Sequence, residues 1–245
     1  MQAKNLFSLF TLTLAISTLT PYAVRAGSPP TSTTGASVKG IVKFEGTVPK
    51  PKLISMAADP SCARQHSSAL FAQEVMTDSK GDLENVIVFV SEGLGDRTFE
   101  APTQPVVVEQ KGCMYTPHVL AVRANQPLHV VNDDPTSHNI HPTPANNREW
   151  NKAEPPGTSL DESFAREEIA IPVKCNVHPW MHGYVAVFKH PYFAVTGKDG
   201  SFDLSSLPPG TYTIKAWHEK LGMSMQTITI GANETKEISF VFKGM

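Results

Sequence analysis

The stretch that decides the fold is IAIPVKCNVHPWMHGYVAVF, residues 169–188. Both ends of this stretch, IAIPV and YVAVF, are rich in β-branched and apolar residues, which is typical of buried strands. The loop between them carries Cys175, His178 and Met181 at intervals of three residues. A short loop that leaves and re-enters a sheet can wrap a thiol, an imidazole and a thioether around one ion, so we expect a metal site here.

A second histidine for this site is available earlier in the chain. The run LHVVN over residues 128–132 predicts a strand, and the residues after it predict a turn before His138. We expect one long loop over residues 133–156, and the next strand is expected to begin at Ser163. A histidine close behind a strand can reach a neighbouring loop although it is distant in sequence. Two imidazoles, a thiolate and a weak thioether are the ligands of a blue-copper site. Zinc is the weaker alternative, because methionine is a poor zinc ligand and structural zinc sites use more cysteines or histidines.

These two segments resemble a known family. The sequence His138-Asn139-Ile140, together with the downstream C-x-x-H-P-W-M loop, is similar to cupredoxins, and most closely to the amicyanin group, whose ligand loop has the same short spacing. The resemblance covers about residues 106–189. It implies a Greek-key β-sandwich that holds one type 1 copper ion.

The resemblance also implies a role for each matching residue. The implied metal ligands are His138, Cys175, His178 and Met181. Met181 would be the weak axial ligand, and the other three would bind strongly. Asn139 matches the residue that ties the strand of the first ligand to the cysteine loop, a contact that tunes the geometry and the reduction potential of the metal.

The chain has three cysteines, so one of them remains outside any disulfide framework. Neither Cys62 nor Cys113 is followed by a histidine and a methionine at short, regular spacing, whereas Cys175 is followed by both. We therefore predict a Cys62–Cys113 disulfide and a metal-binding Cys175. The alternative, in which Cys62 or Cys113 pairs with Cys175, stays open. In that case Met181 would be a core residue, and hydrogen bonds would satisfy His178.

The first residues are typical of an export signal. Lys4 gives a positive start, residues 6–19 are mostly apolar, and Val24-Arg25-Ala26 offers small residues for cleavage. A membrane anchor is the alternative, but the apolar stretch is shorter than the ~20 residues that a spanning helix needs. We expect cleavage after Ala26, a flexible linker over residues 27–36, and a mature protein that is periplasmic or secreted.

The composition excludes two classes of protein. Apolar residues make up 40% of the chain and charged residues 18%, so the chain can bury a core and is not disordered. The formal net charge is −2. Removal of residues 1–26 makes it more negative, because Lys4 and Arg25 are lost and no acidic residue is lost. A mildly acidic protein is a poor partner for nucleic acid, which selects strongly basic surfaces.

A second module flanks the region that resembles cupredoxins. Short apolar runs separated by proline and glycine predict an all-β chain with little helix. Residues 196–219, TGKDGSFDLSSLPPGTYTIKAWHE, resemble the carboxypeptidase regulatory-like β-sandwich, in which a D-G-x-F hairpin precedes P-P-G-x-Y. VKGIVKFEG (residues 38–46) and NVIVFV (residues 85–90) resemble the earlier strands of that module. Our hypothesis is that the cupredoxin domain is inserted into this second small β-sandwich.

The predicted organisation has five parts. They are a signal peptide at 1–26, a linker at 27–36, N-terminal regulatory-like strands at 37–105, a cupredoxin domain at 106–190 and C-terminal regulatory-like strands at 191–245. Chains that combine these two modules resemble those called methylamine utilization proteins, although no residue here points to methylamine.

The expected function is one-electron transfer by a copper protein that is not an enzyme, because four protein ligands leave no open position for a substrate. The expected partner is a redox protein, a c-type cytochrome or a dehydrogenase, that docks weakly at an apolar face around His178. Copper delivery is one alternative and is favoured by the extra histidines His141 and His182, which we otherwise expect to be surface groups. A carbohydrate-binding or adhesion module is another and is favoured by an exposed Trp150. His118 belongs to no ligand pattern.

Overall fold

The computed structural model describes residues 35–244, which form sixteen β-strands and one short helix, α1 (Pro60–Ala63). The strands are β1 Ala36–Glu45, β2 Ile87–Glu92, β3 Val106–Lys111, β4 Met114–Thr116, β5 Val119–Arg123, β6 Leu128–Asn132, β7 His138–Pro142, β8 Lys152–Glu154, β9 Ser159–Glu162, β10 Glu168–Lys174, β11 His182–Phe188, β12 Phe193–Val195, β13 Ser201–Leu207, β14 Gly210–His218, β15 Gly222–Ile230 and β16 Thr235–Lys243. The prediction of an all-β chain is confirmed. Within this range no helix has the length and apolar character needed to cross a membrane.

The first sandwich consists of sheet β13-β1-β16 and sheet β12-β2-β14-β15. In β14 every second residue from Tyr212 to His218 is buried, as expected of a strand with one face on a core. The core of this sandwich includes Val42, Val88, Ile214 and Phe240, which come from both sheets.

β1, the first strand of the described chain, pairs with two strands from its C-terminal part. It pairs antiparallel with β13 and parallel with β16, so it lies in the middle of its sheet. In the opposite sheet, β2 pairs antiparallel with β12 and with β14. Strands that precede residue 106 and strands that follow residue 190 therefore share the same two sheets.

The second sandwich is formed by the chain between those flanking strands. Its sheets are β5-β11-β10-β7-β8 and β4-β3-β6-β9, and its core includes Val130, Ile140 and Val185. The pairs β3–β6 and β5–β11 are parallel, whereas their other neighbours are antiparallel. Parallel neighbours require the chain to cross over between sheets, as it does in Greek-key sandwiches.

A third apolar cluster lies between the two sandwiches. It contains Ile87 and Phe89 of β2, Val119 of β5, and Ala186 and Phe188 of β11. The rings of Phe89 and Phe188 have their centroids 5.0 Å apart. This cluster packs β2 of the first sandwich on the sheet that leads to the cysteine loop.

Two expected boundaries in the second sandwich are wrong. Residues 133–156, expected to form one long loop, contain β7 and β8. The sequence of β7, HNIHP, is too polar for its strand to be recognised from hydrophobic alternation. A strand was also expected to begin at Ser163, but β10 begins at Glu168 and carries an irregularity at Ala170, whose φ is 61°.

The N-terminal predictions fall largely outside the structure. The signal peptide, its cleavage after Ala26 and the linker up to residue 34 lie outside the described residues. Ala36, expected in the linker, is instead the first residue of β1 and is buried.

Candidate metal centre

Three neighbouring strands bring the ends of two distant segments together. β10 and β11 pair antiparallel, with Lys174 opposite His182, and Cys175 follows directly after β10. β7 pairs with the other edge of β10, where Lys174 lies opposite His141. Since His138 is the first residue of β7, this register brings it to the same end of the sheet as Cys175.

The loop from Cys175 to Met181 is held in a tight turn by its own backbone. The Cys175 amide donates to the Met181 carbonyl at 3.0 Å, and the Met181 amide donates to the His178 carbonyl at 2.9 Å. Met181 is fully buried and belongs to the same core cluster as Cys175. The loop therefore presents its thiol and imidazole towards β7 while its methionine packs inward.

The donor atoms of three predicted ligands converge. The Nδ1 atoms of His138 and His178 lie 2.9 Å apart, and Cys175 Sγ lies 3.8 Å from His178 Nδ1. One donor atom from each residue lies within 4.8 Å of the other two. An ion at ~2.0 Å from nitrogen and ~2.3 Å from sulfur would separate tetrahedral ligands by roughly 3.3–3.6 Å. The observed distances bracket that range, so these side chains fit a metal ion after small shifts.

The protonation states around the thiol suit metal binding. Burial raises the pKa of the Cys175 thiol, but hydrogen bonds from His138 and from nearby backbone amides outweigh burial and lower that pKa to about 6. Burial lowers the pKa of His138, but its hydrogen bonds to Asp134 and Cys175 raise that pKa to about 9. At neutral pH the pair is a thiolate beside an imidazolium. The thiolate is the form that binds soft metal ions, and a bound ion would compete with the proton on His138.

Asp134 orients His138 and was missed in the sequence. Its Oδ2 accepts from His138 Nε2 at 2.8 Å, which leaves Nδ1 to face the cluster. Its two carboxylate oxygens also accept from the backbone amides of Gly112 and Cys113 at 2.6 and 2.7 Å. A carboxylate on the outer nitrogen is the usual partner of a metal-binding histidine. The available sequence signal was an aspartate four residues before His138, in the turn after a strand.

The side chain of Asn139 lies between β7 and the loop that begins at Cys175. Its Oδ1 accepts from the Asn176 backbone amide at 2.7 Å and lies 3.4 Å from Cys175 Sγ. Its Nδ2 donates to Asn151 Oδ1 at 2.7 Å. Through these contacts the side chain connects β7 with the cysteine loop.

The imidazole of His178 is covered, so it is not itself part of the apolar face expected around it. His178 is 1% exposed. Asp59 Oδ2 lies 3.0 Å from its Nε2, and Cys62 Sγ lies 3.6 Å from the same nitrogen. Asp59 is held there because its Oδ1 caps α1 by accepting from the amides of Ser61 and Cys62. The segment between β1 and β2 thus covers this edge of the cluster, although Val177 remains 56% exposed beside it.

The predicted Cys62–Cys113 disulfide is confirmed. Both of its cysteines are fully buried, and Cys175 is the free cysteine of the three. Trp180 closes the same side, since its Nε1 donates to the Cys113 carbonyl at 3.2 Å and its ring lies 5.1 Å from the ring of His178.

Other residues singled out in the sequence have partners outside this cluster. His141 contacts Asn176 and Glu149 at 3.1 and 2.7 Å. His182 lies beside His118 instead, with ring centroids 5.4 Å apart. Trp150 is half-buried against Phe164, so its expected exposure is wrong.

Comparisons with known proteins give structural likeness only. No family model matches the chain, and no curated protein matches it. Among solved structures, the copper-containing nitrite reductase of Thermus scotoductus SA-01 is 20% identical with a TM-score of 0.33, over 40% of this chain and 25% of that chain. A purple cupredoxin of Nitrosopumilus maritimus is 22% identical with a TM-score of 0.29, over 33% of this chain and 97% of that chain. A reduced amicyanin variant is 19% identical with a TM-score of 0.32, over 41% of this chain and 97% of that chain.

The chain thus spans only a quarter of the nitrite reductase that it matches. Because the identities and TM-scores are low, the function has to be derived from the residues of the site.

Proposed function

We propose that this protein binds one copper ion in a type 1 (blue) site and carries single electrons. The proposed ligands are His138, Cys175, His178 and Met181. The observation that carries this proposal is the convergence of a free thiol and two imidazole nitrogens in a buried cluster, while the other two cysteines form a disulfide. Two imidazoles, a thiolate and a nearby thioether are the donor set of such sites.

A bound copper ion would supply reversible one-electron chemistry. The chain itself contributes the preformed arrangement of donors. Asp134 fixes the tautomer and direction of His138, and Asn139 holds the cysteine loop against β7. Burial of His138 and His178, each 1% exposed, keeps water away from the donor atoms. A full set of protein ligands favours an electron carrier over an enzyme, since no position is left open for a substrate.

Retention of the metal is favoured over copper delivery. A delivery protein needs ligands that a partner can reach, whereas both imidazoles here are buried. Asp59 and the disulfide additionally cover the outer edge of His178. The half-buried Trp150 likewise gives no support to a carbohydrate-binding surface.

We also propose that the cupredoxin part, residues 106–190, is inserted into a regulatory-like sandwich made by residues 37–105 and 191–245. The support is that β1 pairs with β13 and β16, which follow that segment in the sequence.

We further propose that the protein is exported to the periplasm or the exterior and that residues 1–26 are removed. The disulfide supports this, because such bonds persist in oxidising compartments.

The proposed partner is another redox protein, such as a c-type cytochrome or a dehydrogenase. Two apolar residues of the loop that carries His178, Val177 and Pro179, are exposed, so a partner could reach them. A small apolar contact of this kind suits weak, transient docking.

The test is a visible spectrum of the metal-free protein after addition of Cu(II). We expect an intense charge-transfer absorption from thiolate to Cu(II) and one tightly held copper that cycles reversibly. Cys175→Ser should abolish this absorption, because it removes the thiolate, and His178→Ala should abolish it or greatly weaken it.

His129→Asn is the matched control. This histidine pairs with Asp161 on the surface of β6, away from the cluster, so the variant should keep the full absorption. An unchanged spectrum in both Cys175→Ser and His178→Ala would refute the blue-copper assignment.

A further inference from the structure

A second group of side chains with metal-ligand donor atoms lies outside the proposed copper site. It consists of His118, His182 and Glu219, and one donor atom from each lies within 4.8 Å of the other two. The side chains of His118 and Glu219 are 4% and 1% exposed, while His182 is half-buried. The cluster is therefore almost closed, with His182 on its open side.

Strand pairing fixes this cluster at the junction of the two sandwiches. His118 directly precedes β5, and His182 is the first residue of β11. These two strands are parallel neighbours. At their start the Tyr184 amide donates to the His118 carbonyl at 2.9 Å. Gly183 allows this close approach, because a Cβ there would lie 2.6 Å from the His118 carbonyl oxygen. Glu219 comes from the turn between β14 and β15 of the other sandwich.

Both histidines are oriented as metal ligands are. His182 Nδ1 lies 3.0 Å from the Trp180 carbonyl oxygen, and His118 Nδ1 lies 3.2 Å from the His182 carbonyl oxygen. A carbonyl only accepts, so each Nδ1 carries the proton and donates. In a neutral imidazole this leaves a lone pair on Nε2. Metal-binding histidines commonly donate their other N–H to a carbonyl or carboxylate in this way.

The contact between His118 and Glu219 then needs a proton or a metal ion between its two atoms. His118 Nε2 lies 2.5 Å from Glu219 Oε1, and two lone pairs at that distance would repel. A proton on one of the two atoms, or a metal ion bound to both, removes that repulsion. The other carboxylate oxygen, Glu219 Oε2, is buried and accepts no hydrogen bond of good geometry. The hydroxyl of Tyr184 is the polar group that interacts with this carboxylate from the same side. A contact with His118 alone leaves Oε2 with only the Tyr184 hydroxyl beside it, whereas a metal ion can bind both oxygens of a carboxylate.

We propose that His118, His182 and Glu219 bind a divalent transition-metal ion such as Zn²⁺, at a site distinct from that of Cys175. Two imidazoles and one carboxylate are an established ligand set for zinc, with a fourth position left for water. The half-buried side of His182 is where that water would reach the ion. Because Glu219 belongs to one sandwich and the histidines to the other, the ion would tie the two sandwiches together.

The test is calorimetric titration of the metal-free, full-length protein with Zn²⁺, comparing the wild type with Glu219→Gln. The variant keeps the size of the side chain but removes its charge. We expect it to lose one equivalent of bound Zn²⁺, or to bind that equivalent at least ~10-fold more weakly. The same ion should raise the melting temperature of the wild type more than that of the variant.

The controls separate this site from the proposed copper site. Glu74→Gln removes a neighbouring carboxylate, which pairs with Lys52 and Lys220 outside the cluster, and should bind Zn²⁺ as the wild type does. The Glu219-dependent equivalent should persist in Cys175→Ser, because its ligands do not include the thiolate.

Circular dichroism shows whether Glu219→Gln folds. If it does not, His182→Asn replaces it, because His182 is the more exposed ligand. This variant should also lose one equivalent of bound Zn²⁺. Equal stoichiometry and affinity in the wild type and a folded Glu219→Gln or His182→Asn would overturn the proposal. In that case His118 and Glu219 form a hydrogen-bonded pair without a metal ion.

Discussion

Glu168, at the start of β10, organises the loop between β7 and β8. Its carboxylate accepts hydrogen bonds from the backbone amides of Ala145, Asn146 and Asn147, and another from the Asn147 side chain. Burial raises the pKa of Glu168, but these hydrogen bonds outweigh burial and the pKa is lowered. The ionised form therefore stabilises the folded loop beside β7, the strand that carries His138.

Glu168→Gln should lower the free energy of unfolding at pH 7 by on the order of 2 kcal/mol, because hydrogen bonds to a charged acceptor are lost. The folded-state pKa lies below the unfolded value of ~4.3. The contribution of the charge is therefore fully present above pH ~4.3 and is lost as the pH falls through the folded-state pKa. Urea denaturation at several pH values should show the difference between wild type and variant shrinking in acid.

Glu167→Gln is the control for this effect. Glu167 is the neighbouring residue and is exposed. Its variant should stay within ~0.5 kcal/mol of the wild type at every pH. A difference between wild type and Glu168→Gln that grows as the pH falls would contradict the assigned direction of the pKa shift.

Among the strands, β1 depends on close packing to a neighbour on each side. Gly40 lies where a Cβ would be 1.8 Å from the Ile238 carbonyl oxygen and 2.7 Å from the ring of Phe202. Ile238 belongs to β16 and Phe202 to β13. The absence of a side chain at this position therefore lets β1 lie between both partners.

Gly40→Ala should destabilise the protein by at least ~2 kcal/mol, because the added methyl group overlaps a backbone oxygen that cannot move without breaking the sheet. Chemical denaturation measures this change. Gly197→Ala is the matched control, since a Cβ there would meet only Asp199 Oδ1 at 3.9 Å. Equal stability of the two variants would contradict the packing of β1.

At the scale of the whole molecule, the disulfide connects the two sandwiches through the cover over His178. Cys62 lies in the segment between β1 and β2, and Cys113 lies in the turn between β3 and β4. The two cysteines are separated by 51 residues in the sequence. Closing a loop of this size restricts the unfolded chain, which is the main source of disulfide stabilisation in the chain-entropy model.

The double variant Cys62→Ala/Cys113→Ala should lose about 4 kcal/mol of stability, as measured by denaturation without reductant. With the cover released, a small reductant should reach the copper of the proposed site faster than in the wild type, as followed by loss of the visible absorption. The absorption itself should remain, because Cys175 is not part of the disulfide. A reduction rate equal to that of the wild type would show that the cover does not limit access.

A feature of the fold could be predicted from the sequence when the residues that determine it lie close together in the chain. The alternation in β14 and the spacing of Cys175, His178 and Met181 are local, so both could be recognised directly. β7 was missed because its polar sequence HNIHP gives no hydrophobic period, although its pairing with β10 makes it a strand. The cover over the His178 imidazole could not be predicted, because it comes from a segment more than a hundred residues away.

The sequence by itself determined the all-β class and the close spacing of Cys175, His178 and Met181, and it favoured Cys175 as the free thiol. These features follow from the alternation of apolar and polar side chains along a strand and from residues that lie within one loop. Only the tertiary structure decided that Asp59 covers His178, across 119 residues, and that Glu219 meets His118, across 101 residues. Strand order and register create those contacts, and no local pattern of residues specifies which distant strands become neighbours.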